Sequence, residues 1–133
     1  MRFIRFVRAR RHPESGVEDG LFGLAYELRD SPQIAAEDRT MLADALTWFA
    51  NHLETPSRFN RTMSKGYYRR NTRGIAWFKD TASEHLAWMH EIRRVLERNG
   101  HVIEMLSEAR VGYIVYEDTF QVVAEPFSET RTR

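Results

Sequence analysis

Residues 75–108 read IAWFKDTASEHLAWMHEIRRVLERNGHVIEMLSE, and this stretch decides the fold. Its opening run IAWFK combines aliphatic and aromatic residues, which predicts a short strand. Thr81 and Glu84 form a T-x-x-E capping box, which predicts that a helix begins there. An Asn-Gly pair ending at Gly100 predicts the end of that helix, because glycine adopts the left-handed conformation found after helix C-termini. A second strand follows over 101–108, so we expect a right-handed crossover between parallel strands.

The sequence before this strand–helix–strand unit, residues 75–108, adds one strand and two helices. Residues 2–9 mix β-branched and aromatic side chains with arginine, which predicts a strand. Apolar positions recur on one helical face within 18–29, with acidic residues in the first turn. A second helix is expected to begin at Ser31, a candidate N-cap followed by proline, and to end before Pro56. Its apolar stripe consists of Leu42, Leu46, Phe49 and Leu53.

Two strands follow the unit, over 112–118 and 119–127, and the short connection between them predicts a hairpin within an antiparallel meander. The element order is therefore β-α-α-β-α-β-β-β. We predict an α+β two-layer sandwich, with a mixed sheet of about five strands and helices mainly on one face. The length of 133 residues fits a single domain over 1–133, with a long basic loop at about 56–73 and a frayed tail at 128–133.

The composition excludes several classes of protein. Cysteine is absent, which excludes disulfide scaffolds, thiolate metal sites and a cysteine nucleophile. Apolar residues make up 42% of the chain, enough to form a core. No apolar run approaches the roughly 18 residues of a membrane span. Arginines also interrupt the N-terminal sequence MRFIRFVRARRH, unlike a signal peptide, so we expect a soluble cytoplasmic protein.

Sequence motifs for catalysis and cofactor binding are missing. The seven glycines have no Walker or dinucleotide-binding spacing, and no G-x-S-x-G nucleophile elbow is present. His85 and His90 are five residues apart, whereas two metal ligands on one helix face are four apart. We therefore predict no cofactor, no metal and no catalytic residues, and keep an enzyme of unknown type as a minor alternative.

One junction between a strand and a helix is typical of ligand-binding sites. Lys79 ends the predicted strand and Asp80 begins the turn before the helix. The N-terminus of a helix offers backbone N–H groups to an anion. In the simpler interpretation, which we favour, Asp80 or Thr81 caps the helix and the lysine is solvated.

The net charge of +1 hides a strong asymmetry. Residues 1–12 contain five arginines and no acid, and residues 56–73 contain six basic residues and no acid. These two segments carry +11, so the rest of the chain carries −10. Such an uneven distribution of charge indicates the charge of the partners that the protein binds, and it does not indicate the fold.

The basic segment, residues 56–73, is the strongest functional candidate because aromatic residues are interleaved with its cations. Cations replace the counterions along nucleic acid phosphates, and aromatic faces stack unpaired bases. Arg5 and Arg8 would extend the same patch if the first strand lies beside the strand at Ile75. The alternative is a solvated loop neutralised by the acidic remainder of the chain. The predicted polyanion-binding residues are Arg58, Arg61, Lys65, Tyr67, Tyr68, Arg69, Arg70, Arg73, Arg5 and Arg8.

Four blocks of the sequence resemble a family of small bacterial proteins to which no activity is attached. The blocks are GLFGLAYELRD over 20–30, LTWFANHLETPSRFNR over 46–61, GIAWFKDTASEHLAWMHEI over 74–92 and the terminal GYIVYEDTFQVVAEPF over 112–127. The resemblance covers most of the chain and keeps the order of the blocks. It implies a free-standing bacterial protein and brings no catalytic residue, cofactor or ligand.

Two classes of function remain from the sequence alone. The first is a non-catalytic binding module whose basic segment contacts a polyanion, and nucleic acid, as RNA or single-stranded DNA, is the polyanion that we expect. The second is a protein-interaction module, an adaptor or inhibitor, that uses the acidic remainder of the chain or an exposed aromatic sheet face. Trp77 and Phe78 suggest such a face, because adjacent residues on a strand point to opposite sides of the sheet. Either the long loop or a second subunit would then cover the face opposite the helices, and an exposed aromatic face would be a surface for a protein partner or a homodimer.

Overall fold

The computed structural model describes residues 1–11, 18–55 and 74–127. Within these ranges it confirms the α+β class and the predicted order of elements, with one additional short strand. No helix in these ranges is both long and apolar enough to cross a membrane. The predicted loop at 56–73 and tail at 128–133 lie outside the described residues. The elements are β1 Phe3–Arg11, β2 Glu18–Gly20, α1 Leu21–Arg29, α2 Ala36–His52, β3 Ile75–Lys79, α3 Ser83–Arg98, β4 Ile103–Glu108, β5 Tyr113–Glu117 and β6 Gln121–Glu125.

The five main strands lie side by side in the order β4, β1, β3, β6, β5. Both β3 and β4 pair antiparallel with β1, so they run in the same direction with β1 between them. The crossover through α3 therefore joins strands of like direction that are not neighbours. Every strand pairing among the described residues is antiparallel, so the sheet is not mixed in the way that we expected.

The C-terminal strands confirm only part of the predicted meander. β5 and β6 form the expected antiparallel hairpin. β4 pairs with β1 instead of β5, so the prediction of a continuous meander was wrong. The position of β1 inside the sheet agrees with its side chains, because Phe6 and Val7 point to opposite faces and both are buried.

The C-terminus of α3 follows the predicted signal, whereas its N-terminus does not. Gly100 has a φ of +93°. The N–H of His101 donates to the carbonyl of Leu96 at 3.1 Å, and that of Gly100 to Glu97 at 3.2 Å, which is the Schellman pattern. The predicted capping box is not formed, because α3 begins at Ser83 and no side chain caps it.

The first two helices begin later than the sequence predicts. Residues Glu18–Gly20 pair with β1, so they belong to β2 and not to the first turn of α1. α2 begins only at Ala36. The Ser31 hydroxyl does not cap it but accepts the backbone N–H of Gln33 within the preceding turn. Arg39 of α2 then donates to the carbonyls of Arg29 and Ser31, at 3.2 and 2.8 Å. The bond to Arg29 satisfies a carbonyl group at the end of α1 that has no partner within the helix, and the bond to Ser31 holds the turn that follows.

The helices pack on one face of the sheet, as the sequence predicts. The stripe on α2 is confirmed, since three of its four members are buried and Leu53 is half-buried. Burial of each large aliphatic or aromatic side chain stabilises the fold by about 1.5–3 kcal/mol. The buried side chains of this core include Leu24, Leu42, Leu46, Phe49, Ile92, Leu96, Ile4, Phe6 and Phe78.

The opposite face of the sheet is also apolar and buried. Trp77 is 1% exposed and packs with Leu106 of β4 and Val122 of β6. Val111, in the connection between β4 and β5, completes this second cluster. Phe78 lies under the helices, so the two aromatic residues point to opposite faces as expected. Both are buried, and the aromatic sheet face that we considered as a partner surface is not exposed.

Candidate ligand-binding cleft

A cleft of about 790 Å³ opens where three elements meet. The end of α2 contributes Trp48 and residues 50–55, and the start of α3 contributes residues 81–85. The turn between β5 and β6 closes the remaining side with residues 118–120. A volume of this order is typical of sites that hold one small ligand or one unit of a larger ligand.

Four aromatic rings are in mutual contact along the cleft. The imidazole of His52 stacks on Trp48, with ring centroids 4.3 Å apart and planes 9° from parallel. The ring of His85 meets the same tryptophan edge-on at 4.8 Å. Phe120 stacks on His85 at 4.2 Å, with an interplanar angle of 28°. The cleft therefore carries two exposed rings, His52 and Phe120, each supported by a more deeply buried ring behind it.

Backbone carbonyls fix the tautomers of both histidines. Nε2 of His85 lies 2.8 Å from the carbonyl oxygen of His52, so the Nε2–H donates. Nδ1 of His52 lies 2.8 Å from the carbonyl oxygen of Trp48 and donates likewise. In the neutral rings, Nδ1 of His85 and Nε2 of His52 therefore carry the lone pairs. Neither of these two nitrogens has a hydrogen-bond partner among the described residues.

The turn that carries Phe120 is held by Asp118. Its carboxylate accepts hydrogen bonds from the N–H groups of Phe120 and Gln121, from the Gln121 side chain and from the Tyr116 hydroxyl, all at 2.8–3.0 Å. Burial raises the pKa of Asp118, but these hydrogen bonds together outweigh it and leave the pKa below its ordinary value of 3.8. The hydrogen bond to the carboxylate raises the pKa of Tyr116.

Gln121 ties this turn to the end of α2. Its side-chain amide donates to the carbonyl oxygen of Glu54 at 2.7 Å as well as to Asp118 at 3.0 Å. Gln121 is buried, so its hydrogen bonds are made out of contact with bulk water and are costly to leave unmade. The three walls of the cleft are thus connected, through His85 on one side and Gln121 on the other.

The polar groups of the cleft have electrostatic effects of opposite sign. The N-terminus of α3 lines it, and no side chain caps that helix end. Glu54 and Glu84 are exposed lining residues, and the described lining residues include neither lysine nor arginine. The cleft therefore has a helix N-terminus that favours an anion at one point and carboxylates that disfavour one at its rim.

Most of the predicted polyanion-binding residues lie outside the described residues, namely Arg58, Arg61, Lys65, Tyr67, Tyr68, Arg69, Arg70 and Arg73. Of the remaining two, Arg5 donates to the carbonyl oxygen of Ala76 at 3.1 Å. β1 does lie beside β3, which was the condition for these two arginines to extend the patch. Arg5 and Arg8 are an odd number of residues apart on β1 and point to opposite faces of the sheet. Neither of these two arginines lines the cleft.

The junction between β3 and α3 lines the cleft, but not through Lys79 and Asp80, the two residues that the sequence indicated. Lys79 forms an ion pair with Glu117 at 2.6 Å. Asp80 accepts the backbone N–H of Arg2 at 3.0 Å and does not cap α3. Both residues are absent from the cleft lining, which begins at Thr81. Within the described part of the chain, no group of three or more histidine and acidic side chains could hold a metal ion.

Sequence reasoning assigned no binding role to the four rings of the cleft, Trp48, His52, His85 and Phe120. A signal existed for His85, which lies four residues before Met89 and thus on the buried face of α3. No comparable signal existed for Phe120, which is 38% exposed and reaches the cleft only because the hairpin turn lies beside α3.

In comparisons with protein-family models, with curated proteins and with solved structures, the chain matched none. The resemblance to small bacterial proteins stays a prediction. The function of the cleft is therefore argued from its geometry.

Proposed function

We propose that the protein binds single-stranded nucleic acid, with a base in the cleft and phosphates on the basic segment. The observation that carries this proposal is the pair of exposed rings, His52 and Phe120, each stacked on a ring behind it. Such supported rings are rigid platforms, and stacking of one unpaired base on an aromatic side chain contributes about 1–3 kcal/mol. Single-stranded RNA and DNA offer unpaired bases, whereas a duplex does not.

The polar lining of the cleft suits a base better than an internal phosphate. Exocyclic amino groups and ring N–H groups of bases donate hydrogen bonds, and carboxylates such as Glu54 and Glu84 accept them. No described lysine or arginine lines the cleft to neutralise a chain of phosphates. Phosphates are therefore assigned to the cations of the basic segment.

The chain order supports this division of roles. Thr55 is the last residue of the cleft wall that follows α2, and the basic segment begins with the next residue. Gly74, at its other end, directly precedes β3. The basic segment therefore leaves the described fold at the cleft wall and re-enters it at β3.

Fluorescence anisotropy of a labelled single strand of about 12 nucleotides tests the proposal. Phe120→Ala should weaken binding by about 5- to 100-fold through loss of one stacking platform. Phe127→Ala is the matched control, since Phe127 is similarly exposed and does not line the cleft. Equal effects of the two substitutions would contradict a role of the cleft.

A salt titration tests the role of the basic segment. Arg69→Ala combined with Arg70→Ala should reduce the slope of log affinity against log salt by about 1.4, since each phosphate contact contributes about 0.7 for a single strand. Arg29→Ala combined with Arg94→Ala, on the half-buried end of α1 and the exposed face of α3, removes the same charge elsewhere and should leave most of the slope. Absence of binding at low salt would overturn the proposal as a whole.

A further inference from the structure

We infer that the cleft selects guanine among the bases, and that Glu54 is the residue that recognises it. This inference rests on the proposed function and names the base that the cleft takes. The chemical reason is the pattern of hydrogen-bond donors on the edge of guanine. The structural reason is a carboxylate that the fold leaves free beside a stacking platform.

Among the three described carboxylates that line the cleft, Glu54 is the one that no contact within the described fold explains. Both oxygens of Asp118 accept hydrogen bonds that hold the hairpin turn. Glu84 lies in the first turn of α3, where a negative charge is favourable to the helix dipole. The exposed carboxylate of Glu54 makes no hydrogen bond or ion pair with a described residue.

The position of Glu54 is also unfavourable for a negative charge. It follows the C-terminus of α2, whose last carbonyl groups carry a partial negative charge. The hydrogen bond to Asp118 contributes most to the raised pKa of Tyr116, and the charge of Glu54 contributes as well, so this carboxylate lies near a second one. A charge that costs stability and satisfies no described group of the fold is typical of a functional residue.

The backbone fixes Glu54 beside the platform of Phe120. The carbonyl oxygen of Glu54 accepts the side-chain amide of Gln121 at 2.7 Å, and Gln121 directly follows Phe120 in the hairpin turn. Both Glu54 and Phe120 line the cleft. A base that stacks on this ring presents its edge to groups that lie beside the ring, and Glu54 is such a group.

Guanine is the base whose edge matches a carboxylate. Its Watson–Crick edge presents two adjacent donors, the ring N–H and the 2-amino group, and a carboxylate accepts both through its two oxygens. In adenine and cytosine the amino group lies next to a ring nitrogen that accepts, and in uracil the ring N–H lies between two carbonyl groups. Each of these edges directs a lone pair at one carboxylate oxygen. A good bidentate pair distinguishes the matching base from the others by about 5- to 150-fold.

Three labelled RNA strands test the inference, each of about 12 nucleotides, with guanosine, inosine or adenosine at every third position and uridine elsewhere. Inosine keeps the ring N–H of guanosine and lacks only its 2-amino group. Uridines compete for the cleft within each strand, so a preference of about tenfold for guanine appears as an affinity ratio of about four. We therefore expect the guanosine strand to bind about fourfold or more tightly than either of the other two.

The possible results separate the inference from the proposed function. Equal affinities of the guanosine and inosine strands, or tighter binding of the adenosine strand, would overturn the inference and leave the proposed function intact. Failure of all three strands to bind at low salt would overturn the proposed function, and the inference with it.

Glu54→Gln separates recognition of the base from a general effect of charge. Glutamine has one acceptor oxygen in place of two, and its amide N–H groups would face a donor of guanine. We expect the ratio between the guanosine and inosine strands to fall to about 1.5 or less. Loss of a negative charge near a polyanion would by itself tighten both strands equally. An unchanged ratio would therefore contradict the assignment of Glu54.

Glu27→Gln is the matched control. Glu27 is exposed on α1 and does not line the cleft, and its substitution removes the same charge. The ratio should keep its wild-type value in this variant, and an equal fall in both variants would contradict a specific role of Glu54. The free energy of unfolding of Glu54→Gln should equal or exceed that of the wild type, because the described fold uses only the carbonyl of this residue. A lower value would contradict the premise that the fold leaves the carboxylate free.

A second measurement uses the wild-type protein and competitors that carry one base each. Guanosine 5′-monophosphate and inosine 5′-monophosphate have the same phosphate and differ only in the 2-amino group. The guanosine compound should displace the labelled strand at a concentration about tenfold below that of the inosine compound. Displacement at equal concentrations would contradict recognition of the amino group.

Discussion

The imidazole of His85 donates a 2.8 Å hydrogen bond to the backbone carbonyl oxygen of His52. The donor lies in the first turn of α3 and the acceptor is the last residue of α2, so one side chain joins the ends of two helices that are 33 positions apart in sequence. Carbonyl groups at a helix C-terminus have no partner within the helix. The bond therefore satisfies an orphan carbonyl and sets the floor of the cleft at the same time.

Replacement of His85 by alanine should destabilise the protein substantially. The substitution removes a buried ring that contacts Trp48 and Phe120, and it leaves the carbonyl of His52 without its donor. We expect a loss of about 2–4 kcal/mol in the free energy of unfolding, measured by urea denaturation.

His52→Ala is the matched control for this measurement. It removes an imidazole of the same size from an exposed position, and it should cost about 1 kcal/mol or less. Equal losses for the two variants would mean that burial of His85 and its hydrogen bond to α2 add nothing to the free energy of unfolding beyond what an exposed imidazole adds.

The local elements could be predicted from the sequence because their signals act within a few residues. Leu42, Leu46 and Phe49 recur with the period of a helix, and they form the buried face of α2. At Gly100, α3 ends through two backbone hydrogen bonds that reach back only three and five residues. The spacing of apolar residues and the position of a glycine are therefore sufficient to predict where such a helix lies and where it ends.

The sheet order and the cleft depend on contacts between distant residues, which local patterns do not specify. Phe3 pairs with Glu108, and this pairing separates β3 from β4. His85 could be placed on a buried helix face from its spacing to Met89, but not beside Phe120, which belongs to a turn 35 residues later. The role of the basic segment stays a prediction from its composition.

Substitution of Gly112 should be among the most destabilising single changes in the described chain. Its φ is +123°, which side chains rarely adopt, and a Cβ there would overlap the carbonyl oxygen of Glu125 and lie 2.7 Å from the Cα of Pro126. Gly112→Ala should therefore cost about 3 kcal/mol or more.

Gly23→Ala is the opposite case and serves as the control. Gly23 lies within α1, and a Cβ there would meet nothing within 4 Å. The variant should be more stable than the wild type by about 0.5–1 kcal/mol, because alanine has the higher helix propensity. Thermal unfolding of both variants measures the difference, and a tolerated Gly112→Ala would contradict the backbone geometry between β4 and β5.

Loss of the Asp118 carboxylate should loosen the turn that carries Phe120. Asp118→Ala removes the acceptor of four hydrogen bonds and leaves the N–H groups of Phe120 and Gln121 without that partner. We expect a loss of about 2–3 kcal/mol in unfolding free energy, with weaker nucleic acid binding because the stacking platform is displaced. Asp44→Ala, an exposed aspartate on α2, should stay within about 0.5 kcal/mol of the wild type.

Stability should depend on pH through the same carboxylate. The folded-state pKa of Asp118 is lowered from 3.8, since the hydrogen bonds together outweigh the raising effect of burial. A carboxylate with a depressed pKa stabilises the fold above its unfolded pKa, and this contribution disappears as the pH falls through the folded value. The stability difference between the wild type and Asp118→Asn should therefore be constant from about pH 7 to about pH 5 and shrink below about pH 4.

Subtraction of the variant isolates Asp118 from Asp38, a second carboxylate with a lowered pKa in the described part of the chain. The pKa of Asp38 is lowered mainly by its hydrogen bond from Arg98, and it titrates equally in both proteins because it lies on α2 and contacts the end of α3. Urea denaturation at a series of pH values gives the difference directly. A difference that stays unchanged down to about pH 3 would mean that the charge of Asp118 does not stabilise the turn, and that the hydrogen-bond acceptor alone accounts for its effect.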